Sequence, residues 1–155
     1  MPRRRPGALR AEQSPRVPWS APPPRIHGLS SRTGVAIDRV ERLSDDYYLY
    51  PGATDRALRR YAAFLRPPGR RPLYPQETGC SCRGCSFEDV RHARDVLEEV
   101  LRRLPPRPQG ELRDRVRALD VGYAGRTLPD RFTVRRPWRP DRWWWRRLAD
   151  GPEGR

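Results

Sequence analysis

TGCSCRGCSFEDVRHARDVLEEVLRRL, residues 78–104, decides how the rest of the chain is read. All three cysteines of the protein, Cys80, Cys82 and Cys85, fall in its first eight residues. The remainder has the clearest helical period in the chain. Phe87, Val90, Ala93, Val96, Leu97, Val100, Leu101 and Leu104 fill one half of a helical wheel. Arg91, Asp95, Glu98, Glu99, Arg102 and Arg103 fill the other. Arg94 falls on the apolar half, where its stem can lie over the core with its head in water. A central helix over residues 87–104 is therefore expected. Ser86 is its expected N-cap and Asp89 its capping-box partner. So wide an apolar face needs a cover, and each large side chain buried there contributes about 1.5–3 kcal/mol.

The cover is sought upstream. Residues 54–66 predict a second helix, opened by Thr54 or Asp55 and stopped by Pro67-Pro68. Ala57, Leu58, Tyr61, Ala62, Phe64 and Leu65 lie on one side of it. Arg56, Arg59, Arg60 and Arg66 lie on the other, continued by Arg70 and Arg71 in the loop. Before it, Val35, Ile37, Val40 and Leu43 fit a short helix or a strand equally well. Tyr47, Tyr48 and Tyr50 form an aromatic cluster suited to closing a small core or to stacking on bases. Downstream, Pro105, Pro106 and Pro108 end the central helix. Leu112, Val116 and Leu119 suggest a shorter one over 111–120, and 121–129 close the ordered part. The fold class expected is mainly α: a small domain of about three helices with a Cys-rich knuckle before the central one.

Charge and composition set the domain limits. The 155 residues carry a formal charge of +14, and all 33 basic residues are arginine. Residues 1–33 hold seven Arg against one Glu, and residues 129–155 hold eight Arg against four acids. The middle, 34–128, is nearly balanced, with eighteen Arg against fourteen acids. With nineteen prolines in all, the reading is a disordered Pro/Arg arm over 1–33, a helical domain over 34–128 and a Trp/Arg-rich tail over 129–155. The arm contains a PxxP at Pro15–Pro18 and a solvated His27. No apolar run is long enough to span a membrane or to make an export signal, so the expected compartment is the cytoplasm. Three cysteines without an export signal argue against a disulfide framework.

Function is read from three features. Cys82-Arg-Gly-Cys85 is a C-x2-C with Cys80 as a third thiolate and His92 as the candidate fourth ligand of a zinc site spanning 80–92; Asp89, water or a second subunit's thiolate are the alternatives. A zinc ion there would staple a small core. The arginines at 56, 59, 60, 66, 70 and 71 are candidate nucleic-acid phosphate contacts, helped by the basic tails. Trp138, Trp143, Trp144 and Trp145 lie among arginines and compositionally resemble Trp/Arg-rich membrane-active peptides. That resemblance implies contact with a partner or a membrane surface, and the other reading is an apolar lid on the core. No catalytic set can be assembled from two histidines and no phosphate loop. The expectation is a small basic binding protein contacting nucleic acid or another protein, rather than an enzyme. A CxxC thiol–disulfide oxidoreductase is the remaining alternative.

Overall fold

The computed structural model describes residues 25–132 and 142–150. Among them are four α-helices and no strand: α1 Ser31–Arg42, α2 Ala53–Phe64, α3 Val90–Arg103 and α4 Pro106–Arg126. Single 3-10 turns occur at Cys85–Glu88 and Trp143–Trp145. The mainly helical fold is as expected, with the cysteines ahead of the central helix and one helix more than the hydrophobic pattern suggested. The PxxP and residues 1–24 of the basic arm lie outside the described residues.

Two of the four helix starts, those of α1 and α2, are tied by a carboxylate from elsewhere in the fold. α1 resolves the ambiguity at residues 35–43 in favour of helix. It begins inside the stretch read as arm, with Ser30 as N-cap accepting from the Thr33 N–H at 3.3 Å. Glu111 of α4 reaches across to accept from the Ser30 hydroxyl at 2.7 Å and from the Thr33 hydroxyl, which binds that turn to α4. Ile26, just before it, is buried in the core.

α2 is preceded by Gly52, whose φ of 90° is left-handed and which has no side chain to cap with. Glu41 of α1 does the capping. Its buried carboxylate accepts from the backbone N–H groups of Gly52 and Thr54, both at 2.7 Å. Asp89, not Ser86, is the N-cap of α3, accepting from the Arg91 N–H at 2.9 Å. Ser86 belongs to the preceding 3-10 turn, where its hydroxyl donates to the Cys82 carbonyl at 2.8 Å.

α4 runs 21 residues, well past the expected 111–120 at both ends. The prolines that stop α3 also start it: Pro105 is the N-cap, and Pro106 and Pro108 sit in the first turn, where the N–H groups they lack would have no intrahelical partner. Residues 121–126, read as closing the domain, are its last turns, and they bring Tyr123 into the core at 1% exposure.

α3 is the centre. α2 packs along it, α1 and α4 both touch it, and α1 lies on α4. Ala93, Leu97 and Val100 are fully buried, as the wheel predicts. The other half of the wheel was expected in water, and here the structure differs. Arg91 is 1% exposed and Asp95 6%, and Arg94, on the apolar half, has its head buried as well, at 6%. The cover is the segment 142–150. Trp144 and Trp145 each donate an indole N–H to Asp95 Oδ1, at 2.8 and 2.9 Å, and Arg142 pairs with the same oxygen at 2.7 Å. The Arg94 guanidinium lies 4.2 Å from the Trp144 ring centroid and that of Arg91 lies 4.4 Å from that of Trp145.

The C-terminal end of the segment is held by backbone bonds, Leu148 N–H to Leu128 O at 2.8 Å and Asp150 N–H to Pro75 O at 2.8 Å. The Tyr123 hydroxyl donates to the Trp144 carbonyl at 3.1 Å.

The buried cations are fully paired. Arg91 meets Asp89 at 2.8 Å, and Arg94 binds both Asp120 oxygens, at 2.9 and 3.1 Å, and Glu98 at 3.0 Å. Burial opposes the charge on each arginine, but these carboxylates outweigh it and hold both pKa values above the ordinary one. Tyr61 donates to Asp120 at 2.7 Å, and burial first, then that carboxylate, keeps its phenol protonated far above the usual range.

Trp144 is thus a core residue, at 3% exposure, while Leu43 is 73% exposed. Trp144→Ala is expected to lower the unfolding free energy by about 3–5 kcal/mol. Leu43→Ala should stay within about 0.5 kcal/mol of the native protein. Urea titration followed by circular dichroism reads both.

Candidate metal centre

The short stretch from Cys80 to Cys85 folds into a tight turn because its polar backbone is satisfied locally. The Ser86 N–H and hydroxyl both bond the Cys82 carbonyl, at 3.0 and 2.8 Å, which closes one turn over the C-x2-C. The Cys85 N–H then points at Cys82 Sγ, 3.4 Å away. As a result the three Sγ atoms lie within 4.8 Å of one another. Cys80 and Cys82 are exposed and Cys85 is half-buried. Glycine is not sterically required at position 84. Its φ is −72°, and a Cβ there would meet Cys82 Sγ at an ordinary 3.8 Å.

The N–H···S bond polarises the cluster. The Cys85 backbone N–H, then the Cys80 and Cys85 thiols and the Gly84 N–H, lower the Cys82 pKa to about 7. Cys85, whose thiol donates to Cys82 and which also faces Cys80, is pushed up to about 11. A thiol that is about half ionised at neutral pH, with two further thiols beside it, can exchange its proton for a cation. The same asymmetry meets the local need of a thiol-exchange pair. Among the described residues, however, there is no strand and hence no βαβ frame to present one.

Two pieces of the fold hold the turn. From one side comes the tyrosine segment: the Tyr48 hydroxyl donates to the Ser81 carbonyl at 2.8 Å. Arg83, inside the C-x2-C, donates to the Tyr47 carbonyl, with its guanidinium 4.3 Å from the Tyr47 ring centroid and 5.0 Å from that of Tyr50. From the other side comes α2. Arg56 donates to the Gly84 carbonyl at 3.3 Å and to the Tyr50 hydroxyl at 3.0 Å. Arg60 donates to the carbonyls of Phe87, at 3.1 Å, and Glu88. Arg83 is not among the residues that the C-x2-C spacing singles out. Its signal was a cation enclosed by ligand-type cysteines, downstream of a tyrosine cluster that needed a partner.

His92 does not join the cysteine cluster. It was placed there on the assumption that the helix begins at residue 87. α3 begins at Val90, so His92 sits in its first turn, with its ring packed edge-on between Tyr48, at 4.4 Å between centroids, and Phe87, at 5.5 Å. Asp89, the other acid considered, is occupied by Arg91 and by capping.

The arginine face of α2 is divided in its employment. Arg56 and Arg60 brace the turn, and Arg59 pairs with Asp55 one helical turn earlier. With Gly84 and Phe87, these three arginines line an open concavity of about 610 Å³ beside the cysteine turn. Arg66, Arg70 and Arg71 are exposed.

Among the described residues the tryptophans pack on the core. Trp144 is buried, the Trp144 and Trp145 indole N–H groups are bound to Asp95, and Trp143 packs edge-on to Tyr123 at 5.9 Å. Burial of apolar area and satisfaction of Asp95 both favour the lid. Trp138 lies outside the described residues. Among the described residues no helix is long and apolar enough to cross a membrane. In comparisons with known proteins, the chain matches no family model, no curated protein and no solved structure.

The lowered Cys82 pKa has a direct readout. In metal-free protein, iodoacetamide should modify Cys82 first, at a rate that rises through a midpoint near pH 7. The rate at pH 6 should be about a tenth of the plateau rate, because the thiolate is the nucleophile. Cys82→Ser should remove this phase; peptide mass spectrometry of timed aliquots assigns it.

Proposed function

We propose that the protein is a small zinc-stapled binding protein that contacts nucleic-acid backbone through the arginine face of α2. The observation that carries the metal half is the closure of three sulfurs to within 4.8 Å on a turn whose N–H already bonds one of them. Zinc–sulfur bonds of about 2.3 Å place tetrahedral sulfurs about 3.8 Å apart, so rotation of the thiol side chains is enough to seat the ion. Cys80, Cys82 and Cys85 would hold it as thiolates. A zinc ion in this position joins the turn, and through it the tyrosine segment and α2, to the start of α3. Its role is to hold a small core together, and catalysis is no part of this reading.

Two findings support the nucleic-acid half. The concavity lined by Arg56, Arg59 and Arg60 opens beside exposed Arg66, Arg70 and Arg71. The formal charge of +14 adds long-range attraction for a polyanion. Contacts of this kind neutralise phosphates without reading sequence. Arginines braced by backbone carbonyls lose little further freedom on meeting a phosphate, and each has spare N–H groups to give.

Elemental analysis of the purified chain is expected to find one zinc per protein. Chelation should lower the melting temperature, and Cys80→Ser should abolish the difference between treated and untreated protein. Metal-free protein with unchanged melting would remove the staple. For the second half, affinity for a short duplex should fall with salt as a straight line on logarithmic axes. Arg66→Ala and Arg70→Ala should each weaken binding to all sequences alike and reduce that slope by about 1. Absence of binding at low salt sinks the nucleic-acid reading.

A further inference from the structure

We infer that the metal site is open: three thiolates come from the chain, and the fourth position takes a small thiol from solution. This rests on the metal reading above and goes further by naming the ligand that completes the site. The chain holds three cysteines and two histidines. All five are among the described residues. Neither histidine joins the cluster, and no carboxylate among the described residues does so. His92 is held by aromatic rings and Asp89 by Arg91. Among the described residues no fourth cysteine or imidazole therefore joins the three thiols, whereas a closed structural zinc site uses four ligands.

Exposure gives the direction of entry, since Cys80 and Cys82 face solvent and Cys85 is the inner member. Three thiolates around a divalent ion carry a net charge of −1, and an incoming thiolate makes it −2. Arg83 lies between Cys82 and Cys85 in the chain, with its guanidinium over the Tyr47 ring, and Arg56 donates to the Gly84 carbonyl. They favour an anionic fourth ligand over water. A soft sulfur donor matches the three already present. A second copy of a chain with charge +14 is disfavoured by repulsion, while a small thiol is not. On binding, the S–H proton of the thiol passes to buffer and a metal–sulfur bond replaces a metal–oxygen bond to water. Nothing is oxidised or reduced.

The test uses the full chain loaded with cobalt(II) under argon, because thiolate-to-cobalt charge-transfer absorption reports the number of bound sulfurs. Titration with 2-mercaptoethanol is expected to raise that absorption by about a third, to saturation, as three sulfurs become four. Native mass spectrometry should show one thiol and one cobalt per monomer, and ethylene glycol should have no effect. Arg83→Glu should weaken the thiol several-fold more than it weakens cobalt binding, the two affinities being measured separately in the same variant. A cobalt spectrum insensitive to the thiol, a dimer sharing the ion without thiol, or stripping of cobalt by the thiol would each overturn the open site while leaving the metal reading intact. Failure to bind cobalt or zinc at all, with Cys82→Ser indistinguishable from the native chain, removes both.

Discussion

The structure depends on one carboxylate. Asp95 sits on the side of α3 that its charges assign to solvent, yet it is buried and accepts from two indole N–H groups while pairing with Arg142. A buried carboxylate is costly unless its lone pairs are met and a positive charge stands close, and here both conditions hold. The consequence is that the first turns of α3 are covered on both halves, by its neighbouring helices on the apolar half and by Trp144 and Trp145 over Arg91, Arg94 and Asp95, while Arg102 and Arg103 stay exposed. The tryptophans bring large apolar area, and the Arg91 and Arg94 guanidinium planes beneath them are compatible surfaces. A polar helix face becomes interior because the covering segment supplies hydrogen-bond donors as well as hydrocarbon.

The same logic recurs at the helix starts. Glu41 caps α2 from α1, and Glu111 binds the start of α1 from α4. Each carboxylate answers backbone or hydroxyl donors that its own segment does not need, so the caps also act as tertiary ties. The cysteine turn is fixed in the same way, by side chains reaching to its carbonyls from Arg56, Arg60 and Tyr48. Cys80 and Cys82 are left facing outward because the polar atoms of the turn's backbone are the part the fold has engaged. That separation, a held backbone with exposed thiols, is what makes the turn a candidate to hold an ion.

The candidate site was partly legible beforehand. Cys80, Cys82 and Cys85 fall within six consecutive residues, so local chain geometry alone brings them together, and they are together. His92 and the tryptophans were not readable in the same way. The position of His92 depends on where α3 begins, and a 3-10 turn that hydrophobic period does not reveal moves that start from residue 87 to Val90. The tryptophans lie some fifty positions from Asp95, and nothing local distinguishes a tail that docks from one that meets a membrane. The prolines at 105, 106 and 108 were read as a stop and are also a start, because the first turn of a helix lacks the bonds that proline cannot make.

By itself, the amino-acid sequence determined that the protein is helical, that the apolar half of α3 is core, and that three thiols share one turn. These follow from spacings of three to seven residues, where backbone geometry leaves few choices. Only the tertiary structure decided which charges go inside, where α1 and α3 begin, and that segment 142–150 belongs to the core. Those outcomes hang on pairs such as Asp95 with Trp144 and Glu111 with Ser30. A donor and an acceptor far apart in the chain declare themselves only when packing removes the water that would otherwise serve both.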